Sequence, residues 1–300
     1  MKNFIKNRTG ISSYLKVLTG AVLISFSSVY VKIADVSPTT SGFYRVFFGG
    51  IFLLLVVLLK KEKLWKDFRC LIYSITAGAI FAVDLYCWHT SIHYIGPGLA
   101  TVIGNFQVFF LAIAGVFLFK EKISLTQAAA APIAFFGLIL VVGFDWSLLS
   151  QNYKAGLLLG LATALSYAVY ILLLRQIQQN ENSLSASSNL TSVSFFAAFF
   201  LLIILFFEKN SLVIPDKKSL AALLALGILS QGVGWIFITS GLPGIRAYLA
   251  GMLLLIQPAL SFLWDIILFQ RETTFQGYIG LTITLSAIYI GTYAGSRTDK

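Results

Sequence analysis

One long apolar stretch is written twice in this chain. Residues 98–121 read GLATVIGNFQVFFLAIAGVFLFKE, and residues 246–272 read RAYLAGMLLLIQPALSFLWDIILFQRE. Each copy follows a Gly/Pro turn, Gly96-Pro97-Gly98 or Pro243-Gly244. Each carries one glutamine in mid-stretch, Gln107 or Gln257, and each ends on a charged step, Lys120-Glu121-Lys122 or Arg271-Glu272. A duplicated segment of this length and hydrophobicity restricts the chain to architectures made of two copies of one membrane unit.

The charge distribution shows what that unit is. Only 11% of residues are charged and 58% are hydrophobic, far from the balance of a soluble domain. Runs without Asp, Glu, Lys or Arg cover 85–119, 123–144, 155–174, 182–207, 219–245, 247–264 and 273–296. A helix needs roughly 20 apolar residues to cross a bilayer. The expectation is an all-α polytopic membrane protein with spans near 14–34, 42–59, 69–94, 98–119, 124–144, 154–175, 187–207, 219–241, 245–269 and 275–294. Residues 1–13 and 295–300 read as tails.

The halves correspond beyond the duplicated segment. Gly20, Val29 and Tyr30 in the first span match Gly160, Val169 and Tyr170 in the sixth, Gly78 matches Gly227, and Thr90-Ser91 matches Thr239-Ser240. Residues 14–144 and 154–294 are therefore read as five-span repeats. Five crossings is an odd number, so a second copy joined by a short loop enters the membrane upside down. Inverted repeats of this kind enclose substrate sites near the bilayer midplane.

The net charge of +10 reflects loop lysines and arginines rather than a nucleic-acid surface, since no basic stripe alternates with aromatics. Lys2, Lys6, Arg8, Lys16, Lys60, Lys61, Lys63, Lys66, Arg69, Lys120 and Lys122 fall on one side of the first half, against Lys32 and Arg45 at span edges on the other. The positive-inside rule then places the N-terminus in the cytoplasm, and ten crossings place the C-terminus there too. Cys70 and Cys87 form neither a disulfide framework nor a metal spacing. No metal, cofactor or nucleic-acid partner is expected; the expected partners are a small-molecule substrate and membrane lipid, with the chain a monomer or homodimer.

Polar groups inside a bilayer mark candidate chemistry. Asp84 lies in the middle of the third span with Trp88 one turn on. An acid beside an aromatic face suits an organic cation or a proton relay, and equally an internal ion pair with Lys32 or Arg45. Asn105, Gln107 and Gln257 are mid-span amides that either glue helices or line a cavity. Gln231 and Trp235 repeat the four-residue spacing of Asp84 and Trp88. Trp65 and Trp146 suit the membrane interface, whereas Trp88, Trp235 and Trp264 are too deep for it, and at least two of these three are expected on a pathway. Tyr30 and Tyr170 are weaker candidates, and Asp265 reads as a rim or structural group. His89 is a candidate for proton handling or an ion pair, although a hydrogen-bonded role for His89 and His93 is the simpler reading. Pro258 removes a donor where the first copy has Val108, so the two halves are expected to bend differently. No HExxH, GxSxG or P-loop pattern is present, and no nucleophile is paired with a base.

Val31-Lys32-Ile33-Ala34, Ser37-Pro38 and Phe43-Tyr44-Arg45 resemble the opening of the EamA domain. The segment Gly98 to Glu121 resembles its fourth helix, and Ile256-Gln257-Pro258 with Glu272 resembles that helix in a second copy. Over essentially its whole length the chain resembles a ten-helix member of the drug/metabolite transporter superfamily. Gln107-Val108 departs from the family's Gln-Pro pair. The resemblance implies inverted five-helix repeats around a cavity open alternately to each side, in a secondary transporter of the bacterial inner membrane. It implies no single substrate, because family members carry amino acids, purines, sugars, cofactors and drugs, often outward. The rival readings are a lipid-modifying enzyme or a scaffold and, within transport, a lipid flippase.

Overall fold

A computed structural model describes residues 2–64, 67–119, 124–142, 147, 149–178, 184–241 and 253–298, with side chains from residue 13 except at 118, 119, 175, 177, 178, 292 and 294–298. The expectations placed on Trp65, Lys120-Glu121-Lys122, Trp146, Pro243-Gly244, Arg246 and the two tails' side chains lie outside them. Among the described residues the regular elements are all helices, with no strand. Span 1 comprises Lys2–Ser25 and Ser27–Ile33, span 2 Pro38–Leu59, span 3 Phe68–Ile95, span 4 Pro97–Gly104 and Gln107–Phe119, and span 5 Leu125–Val142. Span 6 is Gln151–Gln178, span 7 Ala186–Glu208, span 8 Lys217–Gly241, span 9 Ile256–Phe269 in its described part, and span 10 Phe275–Thr298. Spans 1 to 8 are long and apolar enough to cross a membrane, and spans 9 and 10 contribute shorter apolar helices. Phe117, Phe206 and Phe275 are about four-fifths exposed, an arrangement suited to lipid rather than water.

Local chemistry starts and stops the helices at equivalent places in the two halves. Ser37 caps span 2 by accepting from Thr40 N at 3.1 Å, with Pro38 in the first turn, and Ser185 caps span 7 by accepting from Ser188 N at 3.1 Å. Asp67 and Asp216 cap spans 3 and 8 through Cys70 N and Ser219 N, each at 2.7 Å. Lys61 and Lys209 take left-handed φ values of 56° and 55° just past spans 2 and 7. Thr90 Oγ1 donates to Tyr86 O at 2.7 Å and Thr239 Oγ1 to Trp235 O at 2.8 Å, one turn back in spans 3 and 8.

The packing obeys the same exchange. Spans 2 and 7, 4 and 9, and 5 and 10 pack on one another. The pairs 3–6, 3–7 and 4–6 are matched by 8–1, 8–2 and 9–1. Swapping the halves maps this pattern onto itself, as a two-fold relation requires, and an odd number of crossings per half makes the two copies antiparallel. Glycines set the closest approaches. A Cβ at Gly78 would stand 2.5 Å from Phe196 Cβ of span 7, and one at Gly227 would stand 2.6 Å from Phe48 Cβ of span 2. Without side chains there, spans 3 and 8 lie against spans 7 and 2 backbone to backbone.

Candidate functional site

Four spans are irregular near mid-depth. Span 1 breaks at Phe26, span 4 at Asn105-Phe106 and span 9 at Leu255, while Leu226–Gly234 of span 8 winds as a wide π-helix before Trp235. Span 4 breaks without a proline, so Val108 does not keep it straight, and the expected contrast between the repeats is not seen in this feature. The cause is local: Asn105 Nδ2 donates to Thr101 O at 2.8 Å, and Phe106 N, Val108 N and Phe109 N bond three residues back rather than four. Irregular backbone at membrane depth is tolerated where it lines a cavity.

That cavity is present. It measures about 500 Å³ and is bounded by both halves of the chain, within the range of small-molecule sites. The first half supplies Arg45, Asp84, Trp88, Asn105 and Gln107, and the second Thr163, Tyr167, Asn189, Trp235 and Gln257. The structure thus brings together six of the eight residues singled out as substrate contacts, together with Arg45. Tyr30 and Tyr170 are not on the wall. Tyr170 is 1% exposed and stacks behind the lining residue Phe81 at 4.5 Å, and Tyr30 packs against the Phe26 ring at 6.2 Å. Tyr167, three residues earlier, takes the lining position.

Among the described residues, Arg45 and Asp84 are the charged side chains on the wall. Arg45 is 6% exposed and Asp84 4%. Arg45 Nε donates to Gln231 Oε1 at 3.1 Å, and Gln231 Nε2 to Ser194 Oγ at 3.4 Å, tying spans 2, 8 and 7. The guanidinium carbon lies 5.2 Å from the Trp88 ring centroid and 6.0 Å from that of Phe81. No ion pair within 4.0 Å joins Arg45 or Lys32 to Asp84. Gln231 and Trp235 do not share a face as their spacing suggests. The wide turns of span 8 change the register, aiming Gln231 at Arg45 and leaving Trp235 on the wall.

Buried polar atoms are normally hydrogen-bonded. Among the described residues, those without a partner are Ser27 Oγ, Asp84 Oδ1, Gln107 Oε1, Thr163 Oγ1 and Asn189 Oδ1, besides Nε2 of His89 and His93. All but the two histidines belong to residues lining the cavity. His89 itself is fully buried, with Nδ1 2.6 Å from Ser41 Oγ, between spans 3 and 2 rather than on the wall. Ser27, Thr163, Tyr167 and Asn189 were not recognised in the sequence. The four-residue interval between Thr163 and Tyr167 was the available signal.

Trp264 has another task. It stacks on Phe26 at 4.6 Å and donates Nε1 to Ser25 Oγ at 3.1 Å, while Ser261 Oγ donates to Ser25 O at 2.9 Å. Together these serve polar groups freed by the break in span 1. Asp265 is structural as well. Its Oδ2 accepts from Gly98 N at 3.0 Å and pairs with Arg271 Nη1 at 3.3 Å, and the same Nη1 donates to Ile95 O at 2.6 Å. This clamp closes over Gly96, whose φ of 87° needs glycine and where a Cβ would lie 2.7 Å from Asp265 Oδ2.

Comparison with known proteins agrees with this architecture. A solved structure described only as a crystal structure of a protein superposes with a TM-score of 0.68 at 17% identity, covering 96% of this chain and 99% of its own. An uncharacterized transporter of Archaeoglobus fulgidus is 22% identical over 271 residues, 89% of this chain and 93% of its own length. A probable amino-acid metabolite efflux pump of Escherichia coli (strain K12) is 24% identical over 236 residues, covering 76% and 77%. The uncharacterized inner membrane transporter YhbE of the same strain is 27% identical over 179 residues, about half of each chain. The EamA-like transporter family matches twice, over residues 11–143 and 154–293. The chain is therefore a membrane transporter belonging to the EamA-like transporter family.

Proposed function

We propose that this protein is a secondary active transporter that moves a small organic metabolite across the cytoplasmic membrane by alternating access. The observation that carries the proposal is the cavity of about 500 Å³ bounded by residues from both halves, with polar side chains among them, where inverted-repeat transporters hold their substrates. The sequence carries no ATP-binding motif, so uphill flux draws on a gradient. The lysine and arginine distribution puts both termini in the cytoplasm.

With that orientation, the Asp265–Arg271 clamp on the turn between spans 3 and 4 seals the outer side. The cavity lining runs the other way, to Leu174, Ala186 and Leu190 at the facing ends of spans 6 and 7. This arrangement corresponds to an inward-facing conformation. The name of the Escherichia coli efflux pump makes amino-acid metabolites the first substrates to try.

The test requires no known substrate. With Cys70 and Cys87 replaced, a single cysteine at Thr163 is labelled in oriented vesicles by a membrane-impermeant maleimide. Alternating access gives labelling from either face, faster from the cytoplasm. A site that neither face can reach rules the mechanism out.

A further inference from the structure

The wall holds one basic and one acidic side chain that do not satisfy each other. Among the described residues, Arg45 donates through Nε to Gln231 Oε1, and Asp84 Oδ1 is without a partner. Both are more than nine-tenths buried. A buried charge left uncompensated is costly, and a buried pair is tolerable only when geometry and hydrogen bonds are good. Here the two line one cavity without closing to 4.0 Å.

A purely cationic ligand at Asp84 would meet the repulsion of Arg45. A purely anionic ligand at Arg45 would meet that of Asp84. A molecule carrying both signs a short distance apart satisfies each. The groups around the pair point the same way. Gln107 Oε1 and Asn189 Oδ1 are buried acceptors lacking a donor, as an ammonium with several N–H groups could supply. Tyr167 and Trp235 add aromatic rings to the wall for the rest of a ligand, beside Phe81 and Trp88, over which the Arg45 guanidinium lies.

We propose that the substrate is a zwitterion of the amino-acid type with an apolar or aromatic body, its carboxylate held by Arg45 and its ammonium by Asp84. This rests on the transporter reading of the cavity and deepens it.

The test compares ligands of matched body and different charge on the purified full-length protein. Phenylalanine, phenethylamine and 3-phenylpropionate form one such set, and leucine, isopentylamine and 4-methylpentanoate another. Thermal shift gives apparent affinity. In the wild type, the zwitterion of at least one set binds about 10-fold or more tightly than either single-charge relative, as expected for a charge-assisted hydrogen bond. Asp84→Asn removes the advantage over the carboxylate, and Arg45→Gln removes the advantage over the amine. Asp84→Glu and Arg45→Lys, checked by size-exclusion elution, guard against loss of folding.

The proposal is overturned if single-charge ligands bind as tightly as zwitterions in the wild type, or if no zwitterion shifts the melting temperature at millimolar concentration. It is also overturned if either neutral variant weakens all members of a set equally. Labelling of the Thr163 cysteine is independent of ligand charge, so it can succeed where this fails, and the two conclusions stand or fall separately.

Discussion

Replacing Arg271 with alanine cuts a clamp that joins three parts of the chain. Arg271 Nη1 reaches Ile95 O at 2.6 Å and Asp265 Oδ2 at 3.3 Å, Nη2 lies 3.5 Å from Tyr153 Oη, and the guanidinium carbon sits 5.4 Å from the Phe262 ring centroid. The end of span 3, the start of span 6 and the end of span 9 are held by one side chain. The Arg271 and Asp265 side chains are 16% and 3% exposed, so solvent screens the pair little. Removing one partner of a buried pair costs about 3–5 kcal/mol, and the residual exposure of Arg271 puts this case near 3 kcal/mol.

If the clamp exists only while the outer side is closed, its loss moves the inward–outward ratio by that amount, a factor on the order of a hundred. Outward-facing molecules then become common. The assay is the rate at which an impermeant maleimide reaches a cysteine at Thr163 from the outer face, with and without Arg271→Ala. A rise in that rate approaching the same factor is expected, and Arg271→Lys should give a smaller one because it loses the forked geometry. A lower melting temperature with an unchanged labelling rate would mean that the clamp survives in both conformations and does not gate.

Other substitutions separate scaffold from site. Gly227→Leu drives a side chain into Phe48 and Gly49 and should cost about 1–3 kcal/mol or more in thermal stability, as should Gly78→Leu against Phe196. Trp264→Phe loses one hydrogen bond to Ser25, worth about 1 kcal/mol, and should leave transport of any identified substrate nearly intact, whereas Trp235→Ala, on the cavity wall, should impair transport without matching destabilisation. Bonds from the Ser219 backbone hold the Asp216 carboxyl below its ordinary range. Its capping contribution is therefore present above the unfolded carboxylate pKa of about 3.9 and fades as pH falls through the lower folded value. Hydrogen-exchange protection at the first amides of span 8, taken relative to the intrinsic rate at each pH, should fall below about pH 4 in the wild type, and Asp216→Asn should abolish that pH dependence.

The architecture was legible because membrane burial leaves an unmistakable mark: long charge-free runs, and a segment written twice. The pairing of Gly78 with Gly227 was legible for the same reason, since close helix crossings need small residues at fixed depth. The identity of the wall was harder to read. In water an apolar stripe tells core from surface, but in lipid both faces of a span are apolar, so Tyr167 and Tyr170 could not be ranked from sequence. Asp84, Gln107 and Gln257 stood out only because their polarity is costly at that depth. Asn189 was lost among the serines that open span 7. The register of Gln231 depended on wide turns that no residue in Leu226–Gly234 announces, and the break in span 4 depended on an Asn105 side chain that could equally have joined two helices.

The two halves share caps, glycines and packing partners, but not charge. The interval from Ser37 to Ser185 carries Arg45 onto Val193, and the interval from Asp67 to Asp216 carries Asp84 onto Val233. A two-fold scaffold with matching charges in each half would suit a ligand with matching ends. Here the first half holds both ionisable groups on the wall, while both halves supply amides, hydroxyls and rings. A ligand with its charged groups at one end fits that division. If transport proceeds by the proposed alternating access, the same asymmetry makes the two conformations inequivalent. Under the proposed mechanism, Arg45 and Asp84 hold the substrate against the first half in both access states.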